Sequence, residues 1–92
     1  MVKNVVLNCE KFLQKEQAHS YMARMLDFPD YYGHNLDALF DCLTELGECT
    51  IVLEGENSLH QEDNYGIKVL KVLEEAARVN FNLKLKTQEA ET

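Results

Sequence analysis

Three short strand-like segments, separated by longer helical patterns, are what most constrain the fold of this chain. Val2 to Leu7 and Thr50 to Leu53 are brief aliphatic runs, and each is typical of a buried strand. In the third segment, Phe81, Leu83 and Leu85 alternate with polar residues, which predicts a half-exposed strand. Because strands separated by helices form βαβ units, the chain is predicted to be an α/β protein with a small three-stranded parallel sheet and right-handed crossovers.

Apolar residues at helical spacing fill the segments between these strands and predict three helices, within 18–26, 36–46 and 65–79. Pro29 is expected to end the first helix, because proline disfavours α geometry in the residue before it. Gly47 is expected to end the second helix as its C′ glycine.

The residues outside these patterns are polar. His19 is interpreted as lying off the apolar stripe of the first helix, in solvent. Residues 54–66 indicate a further short helix only weakly, so three to four helices are expected. Residues 87–92 show no periodicity and are expected to form a polar tail. A chain of 92 residues is long enough for one core but not for two, which predicts a single domain over 1–92.

The charge balance narrows the class of partner. There are 16 acidic residues against 9 basic ones, giving a formal charge of −7. A nucleic acid demands a basic surface, so we expect no nucleic-acid binding. A basic protein or a metal ion would suit the charge, although acidity also serves solubility alone.

The cysteines and the apolar runs indicate the compartment. Cys9, Cys42 and Cys49 are odd in number and form no CxxC pair, so neither a disulfide framework nor a zinc site is indicated. Reduced thiols fit the cytoplasm. The apolar run near the start is too short for a signal peptide, and no stretch is long enough to span a membrane.

The second predicted helix has two unlike faces. Its apolar residues cluster on one side at about 100° per residue. Asp37 and Asp41 fall on the other side, where two like charges four residues apart are mildly destabilising. Such a pair suits a cationic partner. Asn35 is placed to cap the helix, because its side chain can accept an amide hydrogen from the first turn.

Residues 29–43 read PDYYGHNLDALFDCL and closely resemble the signature of the barstar family, the intracellular inhibitors of barnase-type ribonucleases. Phe40 stands where the family prototype has tryptophan. The resemblance extends weakly over nearly the whole chain. It implies a three-stranded parallel sheet packed by helices, with a tyrosine loop and an acidic helix forming the inhibitory face.

The same resemblance implies the roles of the central residues. Asp41 would enter the active site of the nuclease as the main anchor, Asp37 would pair with an arginine beside it, and Tyr31 would pack against the catalytic histidine. The physics agrees, because carboxylates on a rigid helix can take the positions of RNA phosphates and form charge-assisted hydrogen bonds to arginine.

Four further residues receive roles from the resemblance. Gly33 would let the loop backbone approach the partner closely. Asn35 would cap the helix and touch the partner, and Thr44 would make a peripheral contact. Glu75 would contact the rim, although an ion pair with Lys71 or Arg78 is an alternative role for it. Tyr31 could also be an ordinary aromatic residue of the loop, because aromatic side chains are common both at interfaces and in cores.

The chain departs from the family prototype at several positions. His34 replaces an acid and adds a histidine, a residue type that ionises near neutral pH. Cys42 matches a family cysteine, but Phe81 stands at the position of the second one, so that disulfide is not expected. Tyr32 is expected to be a core residue rather than a contact. The segment 57–65 is about three residues shorter than in the prototype.

Three other functions remain open at this stage. Asp37, Asp41 and Glu75 could form an acid–base set, as in glycoside cleavage, although three strands offer no deep cleft. His34, Asp37 and Asp41 have the spacing of a divalent metal site but lack a fourth ligand. The acidic face could also bind a basic protein that is not a ribonuclease. We predict a non-enzymatic inhibitor without a cofactor, bound to a basic ribonuclease and monomeric when free.

Overall fold

Three strands are separated by three α-helices, two before the second strand and one after it, in the computed structural model, which describes residues 3–55 and 64–88. The elements are β1 (Lys3–Asn8), a 3₁₀ helix (Cys9–Phe12), α1 (Lys15–Leu26), α2 (Leu36–Thr44), β2 (Cys49–Glu54), α3 (Tyr65–Val79) and β3 (Leu83–Gln88). The predicted α/β class and three helices are confirmed. The weak signal for a further helix falls largely on residues 56–63, outside the described part.

The sheet is parallel throughout, in the order β1-β2-β3, as predicted. Its register aligns Val5 with Ile51 and Ile51 with Leu85, so alternate side chains of neighbouring strands share a face. That face packs on the helices, and Ile51 and Leu7 are fully buried. The prediction of buried strands holds for this face only. Val6, on the opposite face of the edge strand β1, is 46% exposed.

The helices and the inner face of the sheet share one hydrophobic core. α2 contributes Leu39 and Leu43, both fully buried, and packs against α3. Leu36, Phe40 and Leu46 are partly buried at the edge of this core, so Phe40 is not a fully internal side chain. Within residues 3–55 and 64–88, no helix is long and apolar enough to cross a membrane.

The C-terminal end of α1 is close to the prediction. The helix ends at Leu26, and Asp27 adopts a left-handed conformation with φ 59° and ψ 48°. Its N–H donates to the carbonyl of Ala23. Asp27 is therefore the residue that turns the chain, and Pro29 lies two residues further on, where it cannot continue the helix.

The end of α2 differs from the prediction, because the helix stops at Thr44 and Gly47 is not its C′ residue. The buried side chain of Asn80 takes over the capping. Its Nδ2 donates to the carbonyl oxygens of Leu43 at 3.0 Å and Leu46 at 3.1 Å. Carbonyls left over at a helix end need a partner, and here a residue 34 positions or more along the chain supplies it.

β3 also differs from the prediction at both ends. Phe81 lies in the turn before the strand and is 91% exposed, because the strand pairing begins only at Leu83. Pairing continues to Gln88, so Thr87 and Gln88 belong to the strand rather than to a polar tail. The rest of the predicted tail, 89–92, lies outside the described residues.

Candidate protein-binding surface

The tyrosine loop, residues 27–35, joins α1 to α2 and points its two adjacent tyrosines in opposite directions. A turn closed by the Tyr32 N–H donating to the Pro29 carbonyl at 3.0 Å shapes the loop. Tyr32 is only 7% exposed and packs on Phe28, with 4.9 Å between the ring centroids. Its predicted place in the core is confirmed. Tyr31 is 88% exposed, which leaves its ring available to a partner.

The start of α2 is fixed by Asn35, as predicted. Its Oδ1 accepts the Ala38 N–H at 2.8 Å, and its Nδ2 donates to the Gly33 carbonyl at 3.2 Å. A Cβ added at Gly33 would lie 3.2 Å from that same Nδ2, which is tighter than most real contacts. The absence of a side chain at Gly33 thus leaves space for the Asn35 side chain that caps the helix. This structural role is separate from the predicted approach to a partner.

A groove of about 480 Å³ runs between the tyrosine loop and α2. We call it the acidic groove, because Asp27, Asp41 and Glu45 lie along it and no basic residue of the described chain does. The exposed ring of Tyr31 forms part of its wall. The lining residues are Leu26, Asp27, Phe28, Pro29, Tyr31, Tyr32, Gly33, Ala38, Asp41, Cys42, Glu45 and Leu46.

Asp37 lies outside the acidic groove, in a second depression of about 290 Å³. Lys15 from α1 and Lys68 from α3 line this depression with it, together with Tyr65. Two carboxylates one helical turn apart therefore have different surroundings. We call this second surface the lysine depression, defined by Lys15, Asn35, Leu36, Asp37, Tyr65 and Lys68.

Both predicted aspartates are available to a partner. Asp37 and Asp41 are exposed, and neither forms a salt bridge with another residue of the described ranges. The negative charge of the acidic groove affects the pKa of Cys42, a half-buried thiol that also lines the groove. Burial raises its pKa, and the charges of Glu45 and Asp41 raise it further. A cation entering this groove would meet uncompensated negative charge.

The two outer residues of the predicted site do not line the groove. The Thr44 hydroxyl donates to the Asp41 carbonyl at 2.9 Å, within α2 itself. Glu75 lies on α3 and forms an exposed ion pair with Arg78 at 3.1 Å, one of the two partners considered for it. Their contacts with a partner stay predictions.

His19 is the residue that the sequence interpretation placed wrongly. It is fully buried, not solvated, and its ring lies between the hydroxyls of Tyr32 and Tyr65. The signal was present in the sequence, because His19 has i, i+3, i+7 spacing with Met22 and Leu26, which are both buried. Two hydrogen-bonding partners from distant segments let a polar ring occupy this apolar stripe.

The alternative sites are not assembled. Within the described ranges, no three histidine, cysteine or acidic side chains are gathered in a way that could hold a metal ion. Asp41 lies in the acidic groove, Asp37 in the lysine depression and Glu75 beside Arg78. These three carboxylates do not surround a common pocket.

Comparison with known proteins assigns the chain to a family. A family model described as "Barstar (barnase inhibitor)" matches residues 2–88. A protein of Bacillus subtilis (strain 168), described as "Putative ribonuclease inhibitor YrdF", is 36% identical over 78 residues, which cover 82% of this chain and 86% of that protein. The chain belongs to the barstar family.

Proposed function

We propose that this protein is an intracellular inhibitor of a barnase-type ribonuclease. In this account, α2 and the tyrosine loop enter the RNA-binding active site and exclude the substrate. The protein performs no chemistry itself and needs no cofactor. Membership of the barstar family and the similarity to a protein described as a ribonuclease inhibitor support the proposal.

The observation that carries the proposal is the exposed Asp41 carboxylate in a groove that no basic residue of the described ranges lines. A ribonuclease holds RNA phosphates with arginine, lysine and histidine side chains. A carboxylate on a helix offers the same acceptor atoms and the same sign of charge, so the cations of the active site can bind it instead. Asp41 would be the central anchor and Tyr31 would pack on the catalytic histidine.

The rigidity of α2 raises the affinity that these contacts can give. The helix is capped by Asn35 at its start and held by Asn80 at its end. Because the carboxylates are already in place, little conformational entropy is lost when the partner binds. Asp37, Thr44 and Glu75 would add contacts around the anchor, and Gly33 would let the loop come close.

The net charge of −7 supports fast association with a basic enzyme. Association should weaken as salt is added, because exposed charges are screened beyond about 10 Å at 0.1 M ionic strength. We further propose that the protein acts in the cytoplasm and is a monomer until it binds.

Inhibition of a panel of small basic ribonucleases by the purified protein tests the proposal. We expect at least one to be inhibited at a stoichiometry of about one to one, more weakly at high salt, with Asp41→Ala much less effective. Glu10→Ala is the matched control, since it removes the same charge from an exposed residue that lines neither depression.

Two results would contradict the proposal. Equal losses of inhibition in Asp41→Ala and Glu10→Ala would show that net charge alone acts. Failure to inhibit any ribonuclease, combined with salt-sensitive capture of another basic protein that depends on Asp41, would establish the alternative of a binding module for a partner of another class.

A further inference from the structure

A buried cluster connects the tyrosine loop to the two helices behind it. His19 of α1 is fully buried, and its Nδ1 lies 2.5 Å from the Tyr32 hydroxyl. Its Nε2 lies 2.6 Å from the hydroxyl of Tyr65, at the start of α3. One imidazole therefore joins three segments that are 13 and 46 residues apart in sequence.

The hydrogen bonds of the cluster suit a neutral ring. A neutral imidazole donates from one nitrogen and accepts at the other, so one tyrosine hydroxyl accepts and the other donates. A protonated imidazole donates from both nitrogens. We assign the donating hydroxyl to Tyr32, because this residue is only 7% exposed and cannot offer its hydrogen to water, whereas Tyr65 is only partly buried. On protonation of the ring, the Tyr32 hydroxyl must turn its hydrogen away. Protonation therefore takes away the acceptor of the buried Tyr32 hydroxyl hydrogen and weakens this bridge.

The charged groups around His19 also favour its neutral form. Burial lowers the pKa of His19 below its ordinary value of 6.5, and the charges of His34 and Lys15 lower it further, against an opposite effect of Glu16. His34 lies in the tyrosine loop, 6.1 Å from His19 between ring centroids, and its Nδ1 is 3.7 Å from a Glu16 carboxylate oxygen. Tyr65 faces the ring from α3.

This cluster sits directly behind the proposed contact residues. Tyr32 follows Tyr31 and precedes Gly33, so the position of its ring sets the path of the backbone on both sides. Tyr32 also packs against His34, with 5.2 Å between ring centroids. A shift of Tyr32 would move Tyr31 relative to α2 and change the width of the acidic groove, which both tyrosines line.

We propose that His19 is the positioning residue of the tyrosine loop, and that partner binding depends on pH because protonation of its ring weakens the bridge to Tyr32. The inference rests on the proposed function for its effect on affinity. Its effect on the loop does not depend on any partner.

The direction of the pH dependence follows from the lowered pKa. Between the folded pKa and 6.5, the unfolded chain binds more protons at His19 than the folded chain does. The stabilisation from the neutral bridge is therefore complete above 6.5 and is lost as the pH falls through this window. As the pH falls through this window, the tyrosine loop should become less ordered and the affinity for the partner should decrease.

The affinity test compares the wild type with His19→Gln and Tyr65→Phe against one inhibited ribonuclease, between about pH 5 and 8. At each pH, the dissociation constant of a variant is divided by that of the wild type. This ratio cancels the effect of ionising groups on the ribonuclease itself. For His19→Gln we expect roughly tenfold weaker binding at the upper end, or about 1.4 kcal/mol. The ratio should fall toward one as the pH is lowered. Tyr65→Phe should weaken binding less, because it removes only one bridge.

A ratio for His19→Gln that is constant with pH would overturn the proposal. The proposal would also be overturned if His19→Gln lowered the free energy of unfolding but bound the ribonuclease as tightly as the wild type. A merely structural residue would behave in that way. His34→Gln is the control for the second histidine. It should keep a pH dependence, with its midpoint moved to higher pH, because the charge of His34 lowers the pKa of His19. If His34→Gln alone removes the dependence, the role belongs to His34 and not to His19.

A partner-free measurement separates this inference from the proposed function. In NMR spectra of the protein alone, recorded in the His34→Gln background because His34 is next to Gly33 in the chain, the backbone amide of Gly33 should shift with the same midpoint as the His19 ring. Adding His19→Gln should remove this shift. A Gly33 amide that ignores the His19 titration contradicts the positioning role. Coupled shifts in a protein that inhibits no ribonuclease support the positioning role and reject only the ribonuclease target.

Discussion

The two depressions beside α2 show how differently one helix can present the same residue type. Asp41 opens into the acidic groove, where Asp27 and Glu45 add negative charge. Asp37, one turn earlier, opens into the lysine depression, where Lys15 and Lys68 reduce the net charge. Spacing along the helix made both residues exposed, but the neighbouring elements decided the potential around each of them. A cationic partner should therefore gain more from Asp41.

The largest expected effect concerns the acidic groove. Asp41→Ala should weaken ribonuclease binding by about 2–5 kcal/mol, because a buried, charge-assisted contact at the centre of an interface would be lost. Calorimetry or inhibition kinetics measures it. Asp41→Asn keeps the shape and should recover only part of the loss. A loss of less than about fivefold for Asp41→Ala would contradict the role of central anchor.

Tyr31→Ala should have the next largest effect, of about 1–2 kcal/mol, because exposed aromatic residues at an interface core bury large areas. Tyr31→Phe is the matched variant and should bind nearly as well if the ring face makes the contact. The free energy of unfolding should not change in either variant, since Tyr31 is almost fully exposed. Equal losses in the two variants would assign the contact to the hydroxyl instead.

Asp37→Ala should weaken binding by less than Asp41→Ala does, because Lys15 and Lys68 line the same depression and make it less attractive to a cation. We expect an effect of about 1 kcal/mol, mostly in the association rate. Stopped-flow kinetics at low and high salt separates the rates. If Asp37→Ala proved as damaging as Asp41→Ala, the two depressions would be equivalent and the comparison would fail.

The smallest expected effect has the opposite sign. Lys68→Ala removes an exposed cation from the lysine depression and should tighten binding to a basic partner by about 0.2–1 kcal/mol at low salt. Lys84→Ala, on the exposed side of β3, is the control of equal charge. Equal tightening in both variants would point to net charge rather than to the potential around Asp37.

Much of this molecule is predictable from sequence because its patterns are local. The helix 65–79 and the Asn35 cap are confirmed as predicted, since helical periodicity and capping depend on residues a few positions apart. The parallel sheet follows from the alternation of strands and helices. The opposite exposures of Tyr31 and Tyr32 also agree with expectation.

The errors at His19 and Gly47 share one cause, which is a partner distant in sequence. His19 looked solvated because its two hydroxyl partners lie 13 and 46 residues away. Gly47 looked like a helix terminator, but Asn80 caps the carbonyls of Leu43 and Leu46. The acidic groove likewise depends on how the tyrosine loop folds back over α2, which spacing along one helix cannot reveal.

Competition with substrate tests the central claim most directly, because phosphate mimicry requires that this protein and RNA occupy the same site. The measurement is the apparent affinity for an inhibited ribonuclease in the presence of increasing amounts of an oligonucleotide that the enzyme cannot cleave. We expect the apparent dissociation constant to rise in proportion to the oligonucleotide concentration. A dissociation constant that does not change, with both molecules bound to the enzyme at once, would contradict the account.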